Sequence, residues 1–160
     1  MKRMWSKNEL KNIADNQAKE VKKDITTLVD ADGHNRFISG DLTLKEIEGV
    51  TKAYGKWSLS GTHLLIVLAI NVANTTAIEA ETVLVENVNV PDWIREKIVP
   101  TAGTLIDIRP VTFYASNWSN QSSQASFTKS AQNNLVIRIN NSITFTANRT
   151  GRIVFDLLID

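Results

Sequence analysis

His63-Leu64-Leu65-Ile66-Val67-Leu68-Ala69-Ile70-Asn71-Val72-Ala73 is the stretch that decides the fold of this chain. It is too apolar to be half exposed, so it predicts a central strand with Leu64, Val67 and Ile70 in the core. Asn74-Thr75-Thr76 turns the chain after it. The segment Leu64 to Ile70 is the longest apolar stretch and falls far short of a membrane span.

Working outward from this run, period-two patterning continues to the C-terminus. Thr82 to Val90 alternates, with Val83, Val85 (or Leu84), Val88 and Val90 as inward positions. Pro91 to Pro100 is a connection bounded by prolines, with room for one helical turn, from which Trp93, Ile94 and Ile98 plug one end of the core. Further strands are expected at Leu105–Tyr114, Gln124–Lys129, Leu135–Ile139, Ile143–Ala147 and Arg152–Ile159, with a short one near Trp57. Asn133-Asn134 and Asn140-Asn141 are hairpin-type turns, because asparagine tolerates the left-handed backbone that such turns need. The final Ile153-Val154-Phe155-Asp156-Leu157-Leu158-Ile159 is too apolar for an edge and belongs inside a sheet or at a subunit contact. Short antiparallel strands at this density predict a two-sheet β-sandwich of jelly-roll type. An immunoglobulin-like sandwich is the alternative, without its Cys-Trp-Cys hallmark.

The N-terminus has a different period. Ser6 and Glu9 are spaced as a capping box, and Trp5 and Leu10 as a hydrophobic staple. Ala14, Val21 and Leu28 recur every seven residues, and Lys11, Ala18 and Ile25 take the offset positions, which makes a short a/d seam. A lone polar helix of this length is marginal in water, so it packs on its own domain or self-associates as a short coiled-coil-like stem. Between stem and sandwich, Asp30-Ala31-Asp32-Gly33-His34-Asn35-Arg36 reads as a turn. Gly33 follows too few oxygen ligands for a calcium loop, and no metal site is expected. Phe37 to Leu44, with Ile47, Gly49 and Val50 behind it, alternates like a β neck, although Leu44-Lys45-Glu46-Ile47 also suits a helical turn. The expected fold class is therefore mainly β with an N-terminal α-helix: a helical stem over 1–29, a neck over 30–55 and a β-sandwich head over 56–160.

Composition narrows function. The 160 residues carry 18 basic and 17 acidic side chains, so no global field favours nucleic acid or anionic lipid. There is no cysteine, which removes disulfides and thiolate metal sites and suits folding in a reducing cytosol. Met1 to Lys23 has no apolar core of the kind a signal peptide needs. No nucleophile elbow, phosphate loop, metal-spaced histidine pair or dinucleotide fingerprint occurs, and His63 has no partner at ligand spacing. Asp107 and Asp156 are the acids inside strongly apolar strands. As a pair they would suit glycoside hydrolysis, whereas singly they face solvent or pair with Arg109 or Arg152. The expectation is a protein that is not an enzyme and takes no cofactor.

Binding is the better question. Tyr114-Ala115-Ser116-Asn117-Trp118-Ser119-Asn120-Gln121-Ser122-Ser123 is the most polar stretch of the head and holds a tryptophan. An indole among amides and hydroxyls suits a sugar, the ring stacking on the pyranose face while amides bind hydroxyls. Trp118, Asn117, Asn120 and Tyr114 are the candidate ligand residues. The competing reading packs Trp118 on the core or in a subunit interface. Asn117 and Asn120 also open Asn-x-Ser sequences, which without a secretory signal are not glycosylation sites.

Lys56-Trp57-Ser58-Leu59-Ser60-Gly61-Thr62-His63-Leu64, Val90-Pro91-Asp92-Trp93-Ile94, Tyr114-Ala115-Ser116-Asn117-Trp118 and Phe155-Asp156-Leu157-Leu158-Ile159-Asp160 resemble the head domains of small tail, baseplate or fibre proteins of tailed phages of Gram-positive hosts. The resemblance spans about residues 56 to 160, and the N-terminal helix is similar to their virion-attachment stems. It implies a virion protein made in the host cytoplasm and a homotrimer with a β-sandwich head. Its partners would be other virion proteins through the stem (Ala14, Ala18, Val21, Ile25, Leu28) and host cell-wall saccharide. It carries no catalytic signature, and similar heads occupy several virion positions. Receptor binding in the tail or baseplate is thus the expected role. A structural role as head fibre, decoration protein or baseplate adaptor is the alternative, and an enzyme or non-viral lectin comes last.

Overall fold

A computed structural model describes residues 6–26, 37–98 and 103–159, with the backbone alone for 19–26. The chain forms two compact units, Met1–Arg36 and Phe37–Asp160.

The first unit contains helix α1, Lys7–Thr26. Its start is the capping box: Glu9 N–H donates to Ser6 Oγ at 3.2 Å, and Ser6 N–H to Glu9 Oε2 at 2.8 Å. Two amides that the helix cannot satisfy internally are thereby satisfied. Lys11, Ala14 and Ala18 of the seam are exposed. Trp5, Leu28, the side chains of Val21 and Ile25, and the Asp30–Arg36 turn lie outside the described residues.

The second unit runs β1 (Phe37–Asp41), β2 (Val50–Ser60), β3 (His63–Val72), β4 (Ala77–Ile78), β5 (Thr82–Val85), α2 (Asp92–Lys97), β6 (Thr104–Tyr114), β7 (Asn120–Lys129), β8 (Leu135–Ile139), β9 (Ile143–Thr144) and β10 (Arg149–Leu158). Eight strands form one antiparallel sheet in the order β1-β2-β3-β10-β6-β7-β8-β5, and β4 pairs with β9 beside it. The expected pair of separate sheets is thus one curled sheet: two meanders, β1-β2-β3 and β6-β7-β8, joined through β10. β10 pairs with β3 along its whole length but with β6 only at Thr150↔Tyr114 and Gly151↔Phe113. Beyond those two residues the halves part, and the sheet closes over its own core.

The junction depends on Gly151. A Cβ there would lie 2.3 Å from Cδ1 and Cε1 of Phe113, whose ring packs edge-on against Phe145 at 4.8 Å between centroids. Phe127 and Phe155, from strands that are not neighbours, meet at 5.4 Å across the interior. Leu64, Ile66, Leu68, Ile70 and Val72 of β3 supply the centre of the core by strict alternation. Val67, expected in the core, lies on the opposite face, where it is buried (8% exposed) although Leu65 beside it on that face is 38% exposed.

Of residues 37–55, read from sequence as neck, 37–41 and 50–55 lie in strands of the sheet. β1 pairs with β2 from Phe37↔Ser60 to Asp41↔Lys56, Leu42 is buried, and Lys45 N–H donates to Leu84 O rather than opening a helical turn. In β5 a bulge between Val83 and Val85 puts both Leu84 and Val85 inside, and Val88 and Val90 stay buried after the strand has ended. The proline-bounded connection forms α2, from which Ile94 and Ile98 enter the core, while Trp93 stays partly exposed.

Candidate functional site

At one end of the sheet, pairing registers align a single row across four adjacent strands: Thr51 of β2, Asn71 of β3, Thr150 of β10 and Tyr114 of β6. All four are exposed. Successive strands lie about 4.8 Å apart, so the row spans about 14 Å. Thr150 Oγ1 and Asn71 Oδ1 are 2.8 Å apart and hold each other in place. This row forms part of the lining of an open groove of about 710 Å³, whose other lining residues include Trp118, Asn148 and Arg149.

Trp118 reaches the groove from the β6–β7 hairpin. Its N–H donates to Ala115 O at 3.0 Å, and Ala115 N–H donates to Ser119 O at 3.0 Å. Asn117 Oδ1 accepts from Ser119 N–H and Ser119 Oγ, at 3.1 and 2.7 Å. This is a tight turn followed by one left-handed residue, and that residue is Trp118 at φ +63°. The β7–β8 hairpin repeats the pattern: Asn133 N–H donates to Ser130 O, Ser130 N–H to Asn134 O, and Asn133 has the same φ of +63°. Asparagine suits that backbone and tryptophan does not, since a large side chain there costs steric energy. The indole recovers little of it inside the chain. Trp118 is 79% exposed and touches Tyr114 edge-on at 6.4 Å between centroids.

Beneath the hairpin lies Arg149, 6% exposed. Its Nη1 donates to the carbonyls of Ser119 and Phe113, which ties the turn carrying Trp118 to β10. Its Nε is buried without a partner. Asn148 Oδ1 accepts from Asn74 N–H at 2.7 Å and fixes the neighbouring rim.

Of the four candidate ligand residues, the groove collects Tyr114 and Trp118. Asn117 is spent within its turn, and Asn120 opens β7 opposite Tyr114 without lining the groove. Half of the polar stretch Tyr114–Ser123 is strand, because Tyr114 and Asn120 to Ser123 belong to the β6–β7 pair and only Ala115–Ser119 turn. Sequence reading missed Thr51, Arg149 and Thr150, which have no local signature. Asn71 did leave one, as the lone amide inside an otherwise apolar strand.

The two acids considered for hydrolysis have separate partners. Asp107 Oδ2 accepts from Arg109 Nε at 2.7 Å, as expected, and Asp156 lies 3.4 Å from His63 Nδ1 rather than against Arg152. Among the described residues no cluster of His, Asp and Glu is arranged to hold a metal ion, and no helix is long and apolar enough to cross a membrane. No protein-family model matches the chain, and no curated protein matches its sequence.

Proposed function

We propose that this protein is a non-enzymatic virion component of a tailed phage, a homotrimeric receptor-binding protein of the tail or baseplate that recognises host cell-wall saccharide through the Trp118 groove. The observation that carries the reading is the contrast between the two hairpins. They share a backbone, yet one places asparagine at the left-handed position and the other an exposed tryptophan. A residue that costs the fold and packs on little of it is retained for contact with something outside the chain. The surroundings favour a sugar: two aromatic faces beside a row of hydroxyl and amide groups. In this reading α1 is the stem that trimerises as a short coiled coil and docks on the virion, and the curled sheet is the counterpart of a jelly-roll head. The resemblance of residues 56–160 to phage head domains supports the virion assignment.

The test is saturable binding of the full chain to isolated Gram-positive cell walls. Trp118→Ala is expected to weaken it about fivefold or more, taking the about 1–3 kcal/mol that a nucleobase gains by stacking on an aromatic side chain as the scale for a ring stacked on the indole. Unchanged wall binding by the variant would refute the site.

The structural alternative has its own support. Phe37 and Leu158, 72% and 70% exposed, lie in one cross-strand row with Ser60 and His63 at the opposite end of the sheet. Two large apolar side chains in one exposed row suit a contact with another virion subunit. Gold labelling of intact particles with an antibody to residues 56–160 separates the readings: label at the tail tip supports receptor binding, and label on the capsid supports a head fibre or decoration role.

A further inference from the structure

Among the described residues Arg149 is the only charged one lining the groove, and none of them brings a carboxylate to it. None of the ion pairs among the described residues includes Arg149. Its Nη1 is held by two carbonyl oxygens, which carry partial charge, and its buried Nε has no partner among the described residues. Buried guanidinium groups are ordinarily paired with an acid, because an uncompensated charge out of water is costly. Among the described residues no acid supplies the counter-charge, and the groove that Arg149 lines is open to solvent. A low-dielectric wall also strengthens the field the charge projects into that groove.

We infer that the groove takes an acidic saccharide, with a carboxylate or phosphate group of the sugar supplying the negative charge that Arg149 lacks. This rests on the saccharide reading of the same groove and adds the charge of the ligand. Trp118 and Tyr114 supply ring faces, and Thr150, Asn71 and Thr51 supply hydroxyl and amide partners. Arg149 supplies attraction for the anionic group while positioning the Trp118 turn.

The experiment titrates the full chain, followed by calorimetry, with three oligosaccharide probes of equal length: an oligouronate, its carboxyl-reduced neutral form, and a phosphodiester-linked glycosyl oligomer. At low ionic strength at least one acidic probe is expected to bind about tenfold tighter than the neutral one, and added salt should erode the difference. Whichever acidic probe prevails identifies the carboxylate or the phosphate as the recognised group. Asn148→Asp keeps the oxygen that accepts from Asn74 N–H and sets a carboxylate in the groove beside Arg149, so it should abolish the preference for acid. Arg149→Met should do the same, and Asn148→Asp preserves the test if that variant fails to fold. Equal binding of acidic and neutral probes would overturn the inference and leave the saccharide reading standing. Binding of none of the three would overturn both.

Discussion

Replacing Trp118 by asparagine copies into one hairpin the residue that its twin already uses at the same φ of +63°. Two effects of opposite sign set the stability change. The left-handed conformation costs an ordinary L-residue about 1–2 kcal/mol, and asparagine escapes much of that by local hydrogen bonding. Against this stands the loss of the Tyr114–Trp118 edge contact, at 6.4 Å and 68° between ring planes, where such pairs contribute about 0.5–1.5 kcal/mol. With the indole 79% exposed there is little further burial to lose. The balance lies between neutral and a gain of about 0.5–1 kcal/mol. For a chain of this size 1 kcal/mol moves Tm by about 2–4 °C, so Trp118→Asn should melt unchanged or up to about 4 °C higher. Calorimetric Tm and cell-wall binding, measured on the same preparation, read out both halves of the argument. Binding should fall about fivefold or more while Tm holds or rises. A Tm lowered by more than about 3 °C would refute the reasoning, because the indole would then be a packing residue of the fold or of a subunit interface. Light scattering on the same sample separates those two cases.

Three further outcomes follow from the geometry. Gly151→Ala drives a methyl into the Phe113 ring where β10 pairs with β6. It should cost about 1–3 kcal/mol, read as a lower urea midpoint, with partial rescue by Phe113→Leu in a double-mutant cycle; an unchanged midpoint would count against the junction. Ser6→Ala removes one half of the capping box and should destabilise α1 by about 1 kcal/mol, seen as lower helical ellipticity with no change in the β signal. The intact chain should be trimeric at micromolar concentration in light scattering, and removing residues 1–29 should weaken assembly while the head keeps its melting transition. A monomeric full-length protein would remove the stem from the proposal.

The amino-acid sequence by itself determined the local choices. Ser6 and Glu9 specify the helix start because a capping box needs only residues three apart. The apolar run of β3 and the last strand had to be central, since each carries more apolar side chains than an edge strand can cover, and both lie between paired neighbours. Asn133 marked a left-handed turn through its own backbone preference. Tertiary structure decided what depends on register between distant segments. Residues 37–41 carry a strand pattern too short to show where they belong, and only their pairing with β2, with Leu42 buried behind them, brings them into the head. That β10 joins two meanders into one curled sheet turns on Gly151 meeting Phe113, residues without a shared local signal. The groove is a product of the same register. Thr51, Asn71, Tyr114 and Thr150 are ordinary strand residues until antiparallel pairing lines them up. Trp118 was legible as an oddity among polar residues, but its exposure over that row, with Arg149 tied to the carbonyls of Phe113 and Ser119 beneath, arises only when strands far apart in sequence close around one core.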